Sequence, residues 1–186
     1  MTAPSPPFTP FPGARIAVVG LGRAGLPAAR RLAAWGAEVT VWDDKPDARA
    51  AAEAAGLTVQ DPTAGPFRAD ALLLSPGIPH HLPTPHPAAQ AAAAAGAPIL
   101  CDVEFLYRAV LASHSKARFV GVTGTNGKST TTALIHHILW GAGMACEVGG
   151  IWVPRRSISI SWGPKGSIPS KCRLTCWSES QLCAST

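Results

Sequence analysis

The sequence predicts an α/β protein in which a Rossmann-like domain with a parallel sheet precedes the first strand, phosphate-binding loop (P-loop) and helix of a second α/β domain. Short apolar runs alternate with alanine-rich stretches of helical period, as expected for repeated strand–helix units. Two of the apolar runs end in a glycine-rich turn that leads directly into a predicted helix. Backbone N–H groups and the helix N-terminus at such turns bind phosphate groups.

The first glycine-rich turn follows a predicted strand over 15–20 and precedes a predicted helix over 26–35. Gly20 permits the tight turn, Gly22 lets the backbone approach an anion, and Gly25 lets the helix pack against the strand. The pattern is therefore a glycine fingerprint for a ligand that carries phosphate groups. The candidate ligand-binding residues of this turn are Gly20, Gly22, Arg23, Ala24 and Gly25.

A second predicted strand over 38–42 ends at Asp43 and Asp44, about twenty residues after the glycines. Carboxylates at this place accept hydrogen bonds from a ribose or a base. Taken alone, the fingerprint is typical of a dinucleotide cofactor, so an NAD(P)-dependent oxidoreductase is one open alternative. A glycine-rich turn without any ligand is another.

The rest of the first domain supplies one further candidate site. The predicted strand over 70–74 runs into a turn formed by Ser75, Pro76 and Gly77. In an open α/β sheet this turn lies at the carboxyl edge, where ligands bind, although a plain structural turn is an equal alternative. The other predicted elements are strands over 57–60 and 98–101 and helices over 47–56, 87–96 and 102–111.

Asp102 is positioned to cap the last of these helices. Three histidines, His80, His81 and His86, lie in a proline-rich loop without a carboxylate or cysteine close in sequence. We predict that they face solvent rather than bind a metal ion.

The second glycine-rich turn follows a predicted strand over Phe119–Val122, beyond a polar linker over 112–117. We therefore predict a first domain over 14–112 and the start of a second, ATP-binding domain over 118–150. The pattern is a variant of the usual P-loop, because Val122 stands where the first glycine of G-x-x-x-x-G-K-[ST] is expected. The candidate ATP-binding residues are Thr123, Gly124, Thr125, Asn126, Gly127, Lys128, Ser129 and Thr130.

The order of these motifs resembles the Mur ligase family, and within it the ligases that add D-glutamate to UDP-N-acetylmuramoyl-L-alanine in peptidoglycan synthesis. The resemblance covers residues 14–150 and includes Ser-Pro-Gly-Ile, Asp-x-Glu-Phe and Thr-Gly-Thr-Asn-Gly-Lys-Ser-Thr. It implies that the first domain holds a UDP-sugar instead of NAD. The implied contacts are the diphosphate at Gly22, Arg23 and Ala24, the uridine end at Asp43 and Asp44, and the substrate's edge at Ser75, Pro76 and Gly77.

The resemblance also implies the chemistry. ATP would transfer its γ-phosphoryl group to the L-alanyl carboxylate, and the amine of D-glutamate would then attack the acyl phosphate and expel phosphate. Lys128 is the implied catalytic residue, because a cation on the outer phosphates stabilises the charge that spreads during phosphoryl transfer. Ser129 is the implied Mg²⁺ ligand, with Thr130 beside it. The implied partners are ATP, Mg²⁺, D-glutamate and UDP-N-acetylmuramoyl-L-alanine.

Residues 151–186 break the pattern. Alanine occurs once there, whereas the segment holds eight serines, three of the six tryptophans and three of the five cysteines. The family continues with Asn-x-Gly-x-Pro and Glu-x-Ser-Ser. With codons that the genetic code permits for residues 151–177, restoring a single A ahead of codon 151 returns both motifs in one reading frame. We therefore predict an out-of-frame tail and a chain that does not catalyse ligation by itself. A divergent tail or a metal site at Cys172, Cys176 and Cys183 are the alternatives, the latter with poor spacing for zinc.

The composition limits which other classes of function the chain can have. The tail carries five basic residues and one acidic residue, hence +4 of the net charge of +5, so the basic balance does not indicate nucleic-acid binding. No apolar run approaches the roughly 18 residues of a membrane span. The proline-rich residues 1–13 lack the features of a signal peptide and predict a loose arm. With only Cys101 and Cys146 in the first 150 residues, we expect a cytoplasmic protein and a monomer.

Overall fold

The computed structural model describes residues 9–81, 83–114, 117–144, 146–149 and 173–176. The described residues divide into two compact units, one over 9–106 and one from 107 onward. Both units contain parallel sheet and helices, so the predicted α/β class is confirmed. The domain bounds 14–112 and 118–150 stay predictions.

The first unit is a five-stranded sheet in the order β3-β2-β1-β4-β5, and every neighbouring pair of strands is parallel. Its strands are β1 (Arg15–Val19), β2 (Glu38–Trp42), β3 (Thr58–Val59), β4 (Ala71–Leu74) and β5 (Ile99–Leu100). Its helices are α1 (Gly25–Ala34), α2 (Pro46–Ala54), α3 (Pro87–Ala94) and the first half of α4 (Asp102–Ala112). Each predicted element of this region is present. The chain builds outward from β1 in both directions, which makes the point between β1 and β4 the place where the strand order reverses.

The core of the first unit lies on the two central strands. All four residues of β4 are buried, and so are four of the five residues of β1. Both strands read as continuous apolar runs because helices cover both faces of a parallel sheet. On one face, Ala88, Ala89 and Ala92 of α3 pack against Ala17 and Leu72 in one cluster. Small side chains on α3 let the helix approach the sheet closely.

Residues 9–13 correct the prediction of a loose arm over 1–13. The backbone N–H of Phe11 donates to Trp35 O, and that of Gly13 donates to Gly36 O, over 3.2 and 2.9 Å. The Phe11 ring lies between Trp35 and Phe105, with centroid separations of 5.9 and 5.7 Å. Aromatic packing thus holds a segment whose proline content alone indicated a loose chain. The part of the predicted arm over 1–8 lies outside the described residues.

The second unit holds a three-stranded parallel sheet in the order β6-β8-β7. Its elements after α4 are β6 (Phe119–Val122), α5 (Lys128–Gly141), β7 (Glu147–Gly149) and β8 (Arg173–Cys176). The helix begins at Lys128, directly after the last glycine of the predicted P-loop. Strand β8 belongs to the region for which the sequence predicted no element, and its backbone pairs with both β6 and β7. The rest of 151–186 lies outside the described residues, and its out-of-frame origin stays a prediction.

Helix α5 leaves large apolar side chains uncovered. Leu134, Ile138 and Trp140 are all more than half exposed, at 57%, 58% and 68%. Within the described part of the chain, no helix is both long and apolar enough to cross a membrane. The second unit therefore draws less stability from burial of α5 than the first unit draws from α1 and α3.

Candidate nucleotide-binding sites

The predicted site residues of the first unit converge on one edge of its sheet. Val19, the last residue of β1, pairs with Trp42 at the end of β2 and with Leu74 at the end of β4. Gly20, Asp43 and Ser75 immediately follow these three residues, so the turns they begin lie side by side. Because the strand order reverses between β1 and β4, this edge is where an open α/β sheet forms a ligand crevice.

The three glycines of the first turn differ in what surrounds them. An ideal Cβ on Gly25 would lie 1.8 Å from Gly20 O, and one on Gly20 would lie 2.7 Å from Ser75 Cβ. Gly20 also has a φ of +88°, a conformation that favours glycine. A Cβ on Gly22, by contrast, would meet nothing within 4 Å. Gly20 and Gly25 are thus required by packing inside the unit, whereas Gly22 borders open space that a ligand can approach.

Ser75 joins the two turns on either side of the crevice. Its hydroxyl donates a 2.6 Å hydrogen bond to Gly20 O, and its backbone N–H donates to Val19 O over 3.0 Å. Ile78 N–H in turn donates to Ser75 O, which closes the turn that contains Pro76 and Gly77. The serine therefore fixes the distance between the two loops, and its hydroxyl oxygen keeps lone pairs that can accept a hydrogen bond from a ligand.

Asp43 is engaged with the backbone of both loops around it. Its Oδ2 accepts a 2.6 Å hydrogen bond from Leu21 N–H in the glycine-rich turn, and its Oδ1 accepts one of 2.9 Å from Lys45 N–H. The carboxylate thus holds the glycine-rich turn against the end of β2. Asp44, the other predicted uridine contact, has a side chain that is 79% exposed. The structure therefore gives the two neighbouring carboxylates different surroundings.

Arg49 organises the same strand end, and sequence analysis missed it. One guanidinium nitrogen donates to the carbonyl oxygens of Asp43 and Asp44, over 2.7 and 3.0 Å. The guanidinium carbon lies 4.6 Å from the centre of the Trp42 ring, a cation–π arrangement. An arginine on the surface of a helix carries no sequence signal for this role, because the carbonyl groups it meets belong to no motif.

His86 corrects the prediction that all three loop histidines face solvent. Its side chain is only 17% exposed, its Nδ1 accepts a hydrogen bond from Ala88 N–H over 3.2 Å, and it caps α3. The signal was Pro87, since proline at the first helical position marks the residue before it as the cap. Of the other two histidines, His80 has a lowered pKa, caused first by burial and then by the charge of the neighbouring His81. The described residues contain no cluster of three side chains suited to a metal ion.

Asp102 follows β5 at the same edge of the sheet, in the first turn of α4. Burial raises the pKa of its carboxyl, against the opposing effect of the backbone N–H groups of Val103 and of Asp102 itself. The pKa of this carboxyl is higher in the folded state than in the unfolded state. Its favourable contribution to folding stability is therefore fully present below the unfolded-state pKa. That contribution is lost as the pH rises through the folded-state pKa. Above its folded-state pKa, the ionised Asp102 therefore costs folding stability relative to the protonated form.

We expect Asp102→Asn to unfold at a higher temperature than wild type at pH 7, because the amide keeps an acceptor for the helix N–H groups without burying a charge. The difference should shrink as the pH falls toward about 4, where the wild-type carboxyl takes up a proton in both states. Thermal unfolding followed by circular dichroism between pH 4 and 8 measures it. Asp47→Asn, the same change at an exposed first-turn position of α2, is the control. A stability difference independent of pH would contradict the prediction.

The predicted P-loop of the second unit lies between β6 and α5. Gly124 and Gly127 have φ values of +136° and +78°, which favour glycine at both bends. Gly127 is also the N-cap of α5, and no side chain caps the first turn of that helix. Its free N–H groups and the positive end of a 14-residue helix fit an anion such as a phosphate group.

The lysine of this loop lies against the loop itself. Lys128 Nζ donates hydrogen bonds to the carbonyl oxygens of Gly124 and Thr125, the second over 3.3 Å. Thr123, Thr125, Asn126, Ser129 and Thr130 are exposed, the last two in the first turn of α5. The hydroxyl of Ser129 is thus open to a metal ion at the helix start, which fits the Mg²⁺ that accompanies a nucleotide triphosphate.

One family model and one solved structure match different parts of the chain. The family model of the NAD binding domain of 6-phosphogluconate dehydrogenase matches residues 15–71, less than half of the chain. A solved structure of UDP-N-acetylmuramate:L-alanyl-gamma-D-glutamyl-meso-diaminopimelate ligase from Neisseria meningitides is 22% identical, with a TM-score of 0.46. It covers 89% of this chain and 52% of that one.

Curated relatives are much more similar in sequence. A UDP-N-acetylmuramoylalanine–D-glutamate ligase from Ruegeria pomeroyi is 45% identical over 169 residues, which is 87% of this chain and 36% of the relative. The enzyme of the same name from Caulobacter sp. strain K31 is 50% identical over 147 residues, or 77% of this chain and 31% of the relative. The resemblance to the Mur ligases is therefore confirmed, and the chain spans about a third of the length of these relatives.

Proposed function

We propose that this chain contributes the UDP-substrate site and the ATP loop of a cytoplasmic ligase that adds D-glutamate to UDP-N-acetylmuramoyl-L-alanine. The observation that carries the proposal is the convergence of the glycine-rich turn, the Ser75 turn and the carboxylates after β2 on one sheet edge. The relatives that are 45% and 50% identical over 169 and 147 residues bear the name of this ligase, which supports the choice of substrate.

In the proposed site of the first unit, the backbone next to Gly22 faces the diphosphate, since the open space there lets two phosphate groups approach. Arg23, on the same turn, supplies positive charge. Asp44 accepts hydrogen bonds from the uridine end, while Asp43 keeps the glycine-rich turn in place and retains lone pairs for the ligand. Ser75 and Gly77 border the substrate on the side of β4.

In the proposed ATP site of the second unit, the backbone of the loop over 123–127 and the N-terminus of α5 surround the phosphate groups. Lys128 leaves the carbonyl groups of Gly124 and Thr125 and pairs with the outer phosphates, where its charge is better compensated. Ser129 holds Mg²⁺, which would neutralise the charge of the transferred phosphoryl group when bound.

The complete ligation needs a carboxylate activated by ATP and an attacking amine, so it also needs a D-glutamate site. No residue of the two described sites is assigned to D-glutamate. We therefore propose ligation for a protein that also contains the part of the relatives that this chain does not match. For this chain we propose that it binds nucleotides without turnover. The chain is proposed to act as a monomer, with small molecules rather than nucleic acid or membrane as its partners.

A different class of function, an NAD(P)-dependent oxidoreductase, is favoured by one observation, the match of residues 15–71 to an NAD binding domain. The two proposals differ in the ligand of the first unit and in the need for a P-loop. An oxidoreductase would bind NAD(P) with no competition from UDP, and it would have no use for Lys128.

Isothermal titration of the full chain with UDP, NAD⁺ and MgATP tests the proposal. We expect UDP and MgATP to bind at separate sites with one-to-one stoichiometry, and NAD⁺ to be unable to displace UDP. ATP hydrolysis should not respond to D-glutamate. Binding of NAD⁺ without binding of UDP would overturn the proposed substrate, and hydrolysis that depends on D-glutamate would overturn the assignment as a non-catalytic chain.

A further inference from the structure

We propose that His86 is a positioning residue of the nucleotide site: one ring nitrogen caps α3 while the other holds the Asp44 carboxylate in place for the uridine end of the ligand. This inference rests on the proposed function, because it assigns the uridine end to Asp44. It concerns a residue that the sequence motifs do not include.

The tautomer of the ring follows from the helix cap. Nδ1 accepts a hydrogen bond from Ala88 N–H over 3.2 Å, so it carries a lone pair and no proton. The neutral ring must then carry its proton on Nε2, as a donor. That nitrogen lies 3.7 Å from Asp44 Oδ2. This separation is longer than a hydrogen bond, and a rotation of the exposed carboxylate toward Nε2 would complete one.

His86 is itself fixed in position. Its backbone N–H donates to Pro79 O over 2.9 Å, which ties it to the chain that follows the Ser75 turn. Its ring is largely buried, whereas the Asp44 side chain is 79% exposed. A fixed donor next to an exposed carboxylate can select one side-chain conformation of that carboxylate.

Two other charged side chains of the described residues around this site, Asp61 and Arg49, have hydrogen-bond partners of their own. Asp61 accepts hydrogen bonds from the hydroxyl and the backbone N–H of Thr63, over 2.6 and 2.8 Å, and these hydrogen bonds are the largest cause of its lowered pKa. Arg49 donates to the carbonyl oxygens of Asp43 and Asp44 instead of the Asp44 carboxylate. Asp44 is therefore the acceptor that His86 Nε2 faces, and the loop that carries it is held separately by Arg49.

The approach of His86 to Asp44 favours ligand binding because it orders the Asp44 side chain before the ligand arrives. When one Asp44 oxygen accepts the Nε2 proton, the other oxygen remains for a hydroxyl or N–H group of the ligand. The conformational freedom that the side chain would lose on binding has then been lost in advance, which favours affinity. This ordering of Asp44 affects only the binding of the nucleotide. It can be separated from the helix cap because Nε2 faces Asp44 whereas Nδ1 caps α3.

Two substitutions separate these roles. In His86→Asn, the amide oxygen takes the place of Nδ1 and keeps the cap of α3, but nothing reaches Asp44. In His86→Gln, the amide nitrogen takes the place of Nε2 and keeps the donor, but the short-range cap is lost. The full chain is titrated with UDP by calorimetry, and each variant is melted in parallel.

We expect His86→Asn to unfold at the wild-type temperature yet bind UDP roughly five- to tenfold more weakly, the loss expected when one side chain must be ordered on binding. His86→Gln should melt earlier and keep UDP affinity within about twofold. The double variant with both His86→Asn and Asp44→Asn should bind UDP no more weakly than the single variant Asp44→Asn, because the histidine acts only through that carboxylate.

Wild-type affinity in His86→Asn would overturn the inference and leave the proposed substrate site intact. If His86→Asn does not fold, Asp44→Asn decides, since unchanged UDP affinity there removes the group through which His86 acts. A wild-type chain that fails to bind UDP would instead overturn the proposed function, and the role of His86 would fall with it.

Discussion

Gly25→Ala is expected to destabilise the first unit by about 3 kcal/mol or more, the upper range for an added methyl group in a packed contact. The new Cβ would lie 1.8 Å from the carbonyl oxygen of Gly20, and that atom belongs to backbone that cannot rotate away. Gly20 O also accepts the Ser75 hydroxyl, so moving it disturbs the adjacent turn as well. Thermal or urea unfolding followed by circular dichroism measures the loss.

Gly22→Ala is the matched control, since it adds the same methyl group three residues away in the same turn. A Cβ there meets nothing within 4 Å, so we expect stability within about 0.5 kcal/mol of wild type. UDP affinity should nevertheless fall by roughly tenfold, because the methyl group occupies the space through which the diphosphate approaches the backbone. Unchanged affinity would contradict the placement of the diphosphate. A stable Gly25→Ala variant would contradict the packing of α1 on β1.

The contrast between these glycines shows how far a motif can be interpreted from sequence. The spacing of the glycines predicted the close packing at Gly20 and Gly25, because the geometry of a strand–turn–helix unit is local, whereas the approach of an anion to Gly22 stays a prediction. The five strands of the first unit were predictable for a similar reason, since apolar runs with glycine and proline between them define buried parallel strands. Such inferences need only neighbours in the chain.

What the sequence did not predict depends on contacts between distant segments. Phe11 is held by Trp35 and Phe105, and no local pattern indicates that three aromatic rings from different elements will meet. The same holds for Asp43, whose carboxylate meets Leu21 N–H only because β1 and β2 are neighbours in the sheet. His86 combines both cases: Pro87 indicates its cap locally, but its approach to Asp44 follows from the fold. Residues that support a site are therefore harder to predict than those that form its motif.

Lys128→Met is expected to weaken MgATP binding by roughly 100-fold, or nearly 3 kcal/mol, because it removes the one positive charge of the loop and keeps the length and apolar stem of the side chain. In the free chain, the lysine donates to the carbonyl groups of Gly124 and Thr125, and phosphate oxygens with full negative charge are better acceptors. Titration calorimetry with MgATP measures the change.

Lys45→Met provides the control, since it removes the same charge from an exposed position in the first unit and should leave MgATP affinity unchanged. Ser129→Ala adds a second test of the same site. It should reduce the dependence of ATP affinity on Mg²⁺ while the affinity for ATP without metal stays close to that of wild type, because only the metal contact is lost. If Lys128→Met binds MgATP as wild type does, the turn over 123–127 is not a nucleotide site. The similarity to the ligases would then extend to the fold of the second unit without its chemistry.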